Sequence, residues 1–175
     1  MTTRILWLLA IILTCSSSMS GATRNMPEAP GNAALMLPVG YVAPDFTFND
    51  FNGKPLKLSS LRGKYVVLDF WASWCGWCIK GFPEMKRYYA KYKDRLEILG
   101  MNCGDTEARW KQAVANNNLP WLNVIVPRES RVPVEYGVKG LPTKVIINPE
   151  GRVLVTTVGE NPRFYEILDA LLVEK

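Results

Sequence analysis

Tyr65-Val-Val-Leu-Asp-Phe-Trp-Ala-Ser-Trp-Cys-Gly-Trp-Cys78 is the stretch on which the fold turns. The run Tyr65–Trp71 is apolar except for Asp69 and reads as a buried strand. Cys75 and Cys78 follow, and a helical pattern starts with them. A dithiol therefore stands at a helix N-terminus, where unpaired N–H groups and the positive end of the helix dipole favour an anion. Cys75, in the first turn, is expected to have a lowered thiol pKa and to be the attacking sulfur. Cys78 lies about one turn on, on the same face, placed to attack a mixed disulfide at Cys75 and release the product. The spacing points to reversible exchange with another dithiol.

Two other uses of paired cysteines fit less well. A zinc site needs two further ligands. The chain has no histidine, and only Cys15 and Cys103 remain, so no metal is expected. A structural disulfide across so short a loop would constrain the unfolded chain very little. The 175 residues suggest one domain with appendages, and 48% apolar content is enough for a real core. The net charge is +5. Basic residues alternate with acids along one helix (Lys80, Glu84, Lys86, Arg87, Lys91, Lys93, Asp94), which describes a solvated face. No nucleic-acid partner is expected.

Residues 1–20 read as a secretory segment: Arg4, then the apolar run Ile5–Leu13, then small polar residues. The run is shorter than the about 20 residues a permanent span needs. Cleavage after Ser20 or Ala22 would suit an ordinary signal peptidase. Leu13-Thr14-Cys15 instead resembles a lipoprotein signal, with a lipid anchor at Cys15, and both readings stay open. Either places the mature protein in an extracytoplasmic compartment, the bacterial periplasm, where disulfide traffic occurs. Residues 21–36 look like a flexible linker, and 37–175 form the folded domain.

Within that domain, Val42–Phe48 and Leu56–Leu58 around Asn52-Gly53 predict a hairpin, and Leu58–Gly63 a short helical turn. A helix is expected from about Cys75 to Tyr92, with Phe82, Met85, Tyr89 and Tyr92 buried and Pro83 kinking it. Leu96–Met101 is a second strand. Thr106 caps a helix on which Trp110, Ala113, Val114 and Asn117 share a face. Val124–Val126 is a short strand. Lys144–Asn148 and Val153–Val158 make an antiparallel hairpin, and Pro162 opens a last helix with core face Phe164, Ile167, Leu168 and Leu171. The order β-α-β-α-β-β-α behind an N-terminal hairpin predicts a three-layer α/β/α sandwich with a mixed central sheet.

The segment Val66–Cys78 resembles the active-site strand and motif of the thioredoxin superfamily. Ala43-Pro-Asp-Phe-Thr-Phe48, Leu58-Ser-Ser-Leu-Arg-Gly-Lys64 and Gly140-Leu-Pro-Thr143 are similar to extracytoplasmic thiol–disulfide oxidoreductases of the TlpA/ResA type, and the resemblance covers about 37–175. It implies a thioredoxin-like fold. It also implies a cis proline at Pro142 beside the dithiol, with the Leu141 backbone pairing with an extended substrate. Asp69 matches the buried aspartate beneath the thioredoxin site, where an acid with a raised pKa takes a proton from Cys78 as it attacks. Its plainer alternative is a strand-end carboxylate held by a local hydrogen bond. Many relatives carry Glu three residues after the second cysteine. The resemblance implies that this acid tunes the cysteine pair; here Gly81 stands there, leaving that role vacant unless Asp69 fills it. Trp77 replaces the thioredoxin proline. With Trp74 and Gly76 it is expected to line an apolar docking surface, or simply to shield the sulfurs. Cys103 is either a core thiol or a third redox thiol.

The expected activity is thiol–disulfide exchange on protein substrates, in the reducing direction that the resemblance implies. A membrane dithiol relay would then return electrons, with no cofactor beyond the Cys75–Cys78 pair. One alternative is a peroxiredoxin-like thiol peroxidase, since Ala43-Pro-Asp-Phe also opens those proteins. They need Thr three residues and Pro seven residues before the reactive cysteine, where this chain has Ala72 and Leu68. Another is a non-catalytic thioredoxin-like binding module. Fold alone gives neither client nor direction.

Overall fold

The apolar run before the dithiol becomes the middle strand of a five-stranded sheet, buried on both faces. The computed structural model describes residues 37–173. The secretory segment, the linker and Cys15 therefore lie outside the described residues.

In chain order, β1 (Thr47–Asn49) and β2 (Pro55–Lys57) pair antiparallel as a separate hairpin. Its turn is fixed by Asp50, whose carboxylate accepts from the Asn52 and Lys54 N–H groups, and by Gly53 at φ +77°. A 3-10 turn (Leu58–Leu61) leads into β3 (Tyr65–Trp71). Then come α1 (Gly76–Tyr92), β4 (Leu96–Cys103), α2 (Glu107–Asn116), β5 (Leu122–Val126), α3 (Val132–Glu135), β6 (Thr143–Ile147), β7 (Val153–Val158) and α4 (Pro162–Leu172). The sheet order is β5-β4-β3-β6-β7. β3, β4 and β5 run parallel, while β6 lies antiparallel to both β3 and β7.

Side-chain alternation along β3 divides the core in two. Val67 and Trp71 point into a cluster with α1, α2 and α4. Val66, Leu68 and Phe70 point the other way, toward the hairpin side, Val132 and Tyr136. Helices on one face and hairpin plus α3 on the other make the three layers. Tyr136 closes the second layer by donating to the Pro44 carbonyl at 2.6 Å.

The helices differ from the sequence expectation in three details. α3 interrupts the β-α-β-α-β-β-α order. It is a single turn with Pro133 at its start, too short for any apolar period. On α1 the buried face runs through Cys78, Gly81, Phe82, Met85 and Tyr88, while Tyr89 and Tyr92 are only partly covered. The cause is α4: Tyr88 packs on Tyr165 with ring centroids 4.9 Å apart, and the Asp169 carboxylate accepts hydrogen bonds from both Tyr88 and Tyr92. α4 itself buries Phe164, Tyr165, Leu168 and Leu172, with Ile167 and Leu171 at the edge.

Candidate active site

The chain leaves β3 at Trp71 and enters α1 at Gly76, so four residues carry the turn. Cys75 is the N-cap of α1. Its backbone is extended (φ −83°, ψ 94°) and its Sγ accepts from the Cys78 N–H at 3.2 Å. The sulfur thus takes the place that a Ser or Asp oxygen holds in an ordinary cap. Cys75 and Cys78 form a disulfide with Cα atoms 5.3 Å apart. Cys75 is 7% exposed and Cys78 2%, so the capping cysteine is the more exposed of the pair. Trp74 and Trp77 flank it at 65% and 62% exposed, with exposed Gly76 between Cys75 and Trp77. The Lys80 ammonium lies 4.8 Å from the Trp77 ring centre.

Asp105, which sequence reasoning missed, fixes this turn. One carboxylate oxygen accepts from the Ser73 N–H (2.7 Å) and the Asn102 amide (2.8 Å), the other from the Ser73 hydroxyl (2.7 Å). Burial acts to raise the Asp105 carboxyl, but the Asn102 and Ser73 hydrogen bonds outweigh it and hold the group below its ordinary range. An acid between the end of β4 and the capping Thr106 was the only sequence signal, and it reads equally well as a helix-start charge.

By strand alternation Asp69, 1% exposed, shares the face of β3 with Val67 and Trp71, the face packed in the cluster that holds Cys75 and Cys78. Its strand partner in register is Lys144 of β6. Both side chains are 2% exposed, with Lys144 Nζ 3.8 Å from Asp69 Oδ1, an oxygen that makes no hydrogen bond within the protein. The ammonium sits closer to Glu160, at 2.6 Å, in the turn between β7 and α4. The second Glu160 oxygen accepts from the Tyr165 hydroxyl at 2.6 Å. Burial pushes the Asp69 carboxyl up to about 6; Lys144 draws it down and Glu160 adds to the rise. Asp69 Oδ1 is therefore not tied off by a hydrogen bond within the protein.

Lys144 and Glu160 were not singled out from the sequence. A lone base in the apolar strand Thr143–Ile147 was a usable signal, since a buried lysine needs a partner. Glu160 carried none. The position after the second cysteine that looked vacant is filled in space: a Cβ on Gly81 would stand 2.6 Å from the Glu160 carboxyl carbon.

The Leu141–Pro142 peptide bond is cis. Pro142 is buried, its carbonyl accepting from the Gly159 N–H at 2.7 Å, and Leu141 packs against the cluster that contains Cys75 and Cys78. Cys103 stands apart from these groups. It packs with the opposite cluster at the end of β4, and burial, then the Asp69 charge, push its thiol up to about 12. That environment favours the core-thiol alternative over a third redox thiol.

Residues 39–156 match the model of the AhpC/TSA family. Thiol-disulfide oxidoreductase ResA of Bacillus subtilis (strain 168) is 37% identical over 121 residues, covering 69% of this chain and 67% of that protein. ResA of Bacillus anthracis is 34% identical over 126 residues, covering 71% and 72%. Among solved structures, the thioredoxin domain of a thiol-disulfide oxidoreductase from Bacteroides vulgatus gives a TM-score of 0.73 at 28% identity, covering 78% of this chain and 99% of that one. A protein from Chlorobium tepidum described as thiol:disulfide interchange protein DsbE gives 0.70 at 36% identity, covering 77% and 94%.

Proposed function

Because the chain belongs to the AhpC/TSA family and is a thiol–disulfide oxidoreductase of the ResA and DsbE type, we propose that it reduces disulfides of proteins outside the cytoplasm. The observation that carries the catalytic assignment is Cys75 at the N-cap of α1, a residue more exposed than its partner, with its sulfur accepting an N–H from Cys78.

In the reduced protein, the helix start and the Cys78 N–H stabilise a Cys75 thiolate. It attacks one sulfur of a substrate disulfide. A Cys75–substrate disulfide forms and the other substrate sulfur leaves as a thiolate. Cys78 then gives its proton to Asp69 and attacks Cys75 Sγ. The Cys75–Cys78 bond forms and the second substrate sulfur leaves, so two electrons pass to the substrate. Trp74, Gly76 and Trp77 present the apolar docking surface, and the strand entry at Leu141 and Pro142 receives an extended segment of substrate.

No cofactor takes part beyond the cysteine pair. A membrane dithiol relay restores the reduced form, and the N-terminal segment directs the chain out of the cytoplasm, cleaved or lipid-anchored at Cys15. No helix among the described residues is long and apolar enough to cross a membrane. The reducing direction is supported by the surroundings of the sulfurs. Strong oxidants stabilise their reduced, thiolate form. Between the cysteines, Gly76 has no side chain and Trp77 carries only an indole N–H, so neither supplies a positive charge to a thiolate, and the carboxylates of Asp69 and Glu160 lie on the inner side.

The test is trapping. With Cys78→Ser, a disulfide-bearing protein substrate should accumulate as a covalent adduct at Cys75, mapped by mass spectrometry. With Cys75→Ser, no adduct should form. Adducts at Cys78 in the wild-type turnover mixture, or none with either variant, would sink the assignment.

A further inference from the structure

Gly81 is buried one turn beyond Cys78, on the same face of α1, among Cys78, Phe82 and Met85. Glycine is a poor helix residue, and Gly81 holds no positive φ that would call for one here. What occupies the space of its missing side chain is the carboxylate of Glu160. Both oxygens of that carboxylate are engaged, one by Lys144 Nζ and one by the Tyr165 hydroxyl, each at 2.6 Å. The Tyr165 hydroxyl also lies 3.4 Å from the Gly81 carbonyl, so helix, tyrosine and carboxylate form one packed unit. Lys144 stands between two acids, 2.6 Å from Glu160 and 3.8 Å from Asp69.

We propose that Glu160, seated in the gap at Gly81, is a positioning residue for proton transfer at Asp69: it holds the Lys144 ammonium to itself and keeps it from closing on Asp69. The proposal rests on Asp69 as the acceptor of the Cys78 proton. A lysine shared between two carboxylates neutralises only one. With Glu160 holding it at hydrogen-bond distance, Asp69 keeps a weakened cation and gains a nearby negative charge, and both make its ionised form costlier. Asp69 is thereby kept basic enough to accept a thiol proton near neutral pH. In the step itself the proton passes from Cys78 Sγ to an Asp69 oxygen. Cys78 Sγ bonds to Cys75 Sγ, and the bond from Cys75 to the substrate sulfur breaks, releasing a thiolate.

The titratable groups around Asp69 are Lys144 from β6 and Glu160 and Tyr165 from the turn and start of α4, with the cysteine pair of α1 in the cluster on the same face of β3. Cys103 at the end of β4 senses it from the opposite face, and Glu84 on α1 acts on Tyr165. Among these, Lys144 and Glu160 make opposite predictions. The experiment follows the Asp69 carboxyl by NMR through a pH titration, beside the pH profile of adduct resolution. The proteins are the wild type, Glu160→Gln, Gly81→Ala and Lys144→Met.

Glu160→Gln should move both the titration and the acid limb to lower pH, by about one pH unit. Gly81→Ala should do the same although it removes no charge, because its methyl group displaces the flexible end of Glu160. Lys144→Met should move both to higher pH. A titration of Asp69 unchanged in Glu160→Gln and Gly81→Ala, or displaced in the same direction as by Lys144→Met, would overturn the proposal. Failure of the underlying acceptor role reads differently: Asp69→Asn would leave the pH profile of resolution unchanged, while the NMR shifts among the other variants stayed measurable.

Discussion

Asp69 lies 1% exposed in a sheet, beside a lysine that a second acid holds more tightly. Its carboxyl, raised from 3.8 to about 6 by burial, binds a proton more tightly in the folded protein than in the unfolded chain. The fold is therefore favoured by this group below about pH 4, and that contribution is lost as the pH rises through about 6. Asp69→Asn should accordingly stabilise the protein at pH 8, by up to about 3 kcal/mol, and leave stability near pH 4 unchanged. Urea melts at the two pH values check it, and an equal effect at both would show that Asp69 does not titrate as described. The two cysteines and Asp69 were legible because they belong to one short stretch whose residue types are rare in a buried strand and turn. Lys144, Glu160 and Asp105 were not. The contacts that give them meaning are distant in sequence: Ser73 and Asp105 are 32 residues apart, Lys144 and Glu160 16.

At the scale of elements, α1 delivers the dithiol, and the turn before it must hold still. Asp105 ties that turn to β4 through three hydrogen bonds. Asp105→Ala leaves the Ser73 N–H and the Asn102 amide without this partner in a mostly buried site. It should cost about 2–3 kcal/mol in denaturant unfolding. It should also slow adduct formation at Cys75 more than Asp105→Asn, which keeps acceptor capacity. A loss of stability with unchanged kinetics would remove Asp105 from the site. The sign of its pH dependence is opposite to that of Asp69: a lowered carboxyl contributes stability above about pH 4 that is lost as the pH falls through its folded value. Long, periodic elements were readable in advance, α1 and β3 above all. α3 was not, since one turn has no period, and the exact buried stripe of α1 depended on where α4 lands Tyr165 and Asp169.

For the whole molecule, the decisive quantity is the energy gap between dithiol and disulfide. A reductant is a protein whose disulfide form is the more favoured, so the oxidised protein should unfold at higher denaturant than the reduced one; the reverse order marks an oxidant, whose reduced form is the stabilised one. The fold was legible to the level of layers, a mixed sheet and the order of elements along the chain, because hydrophobic runs and turn residues agree along it; that β6 inserts beside β3 was not. Direction was not, because it depends on small differences in the charge and hydration of two sulfurs. The most direct measurement is the reduction potential of the Cys75–Cys78 pair, by equilibration in defined thiol buffers with tryptophan fluorescence as readout; Trp71, Trp74 and Trp77 lie in the same short segment as the pair. A value near the thioredoxin end, about −270 mV, is predicted for a reductase. A value near about −120 mV, where strong oxidants lie, would contradict the account and make the protein a disulfide donor.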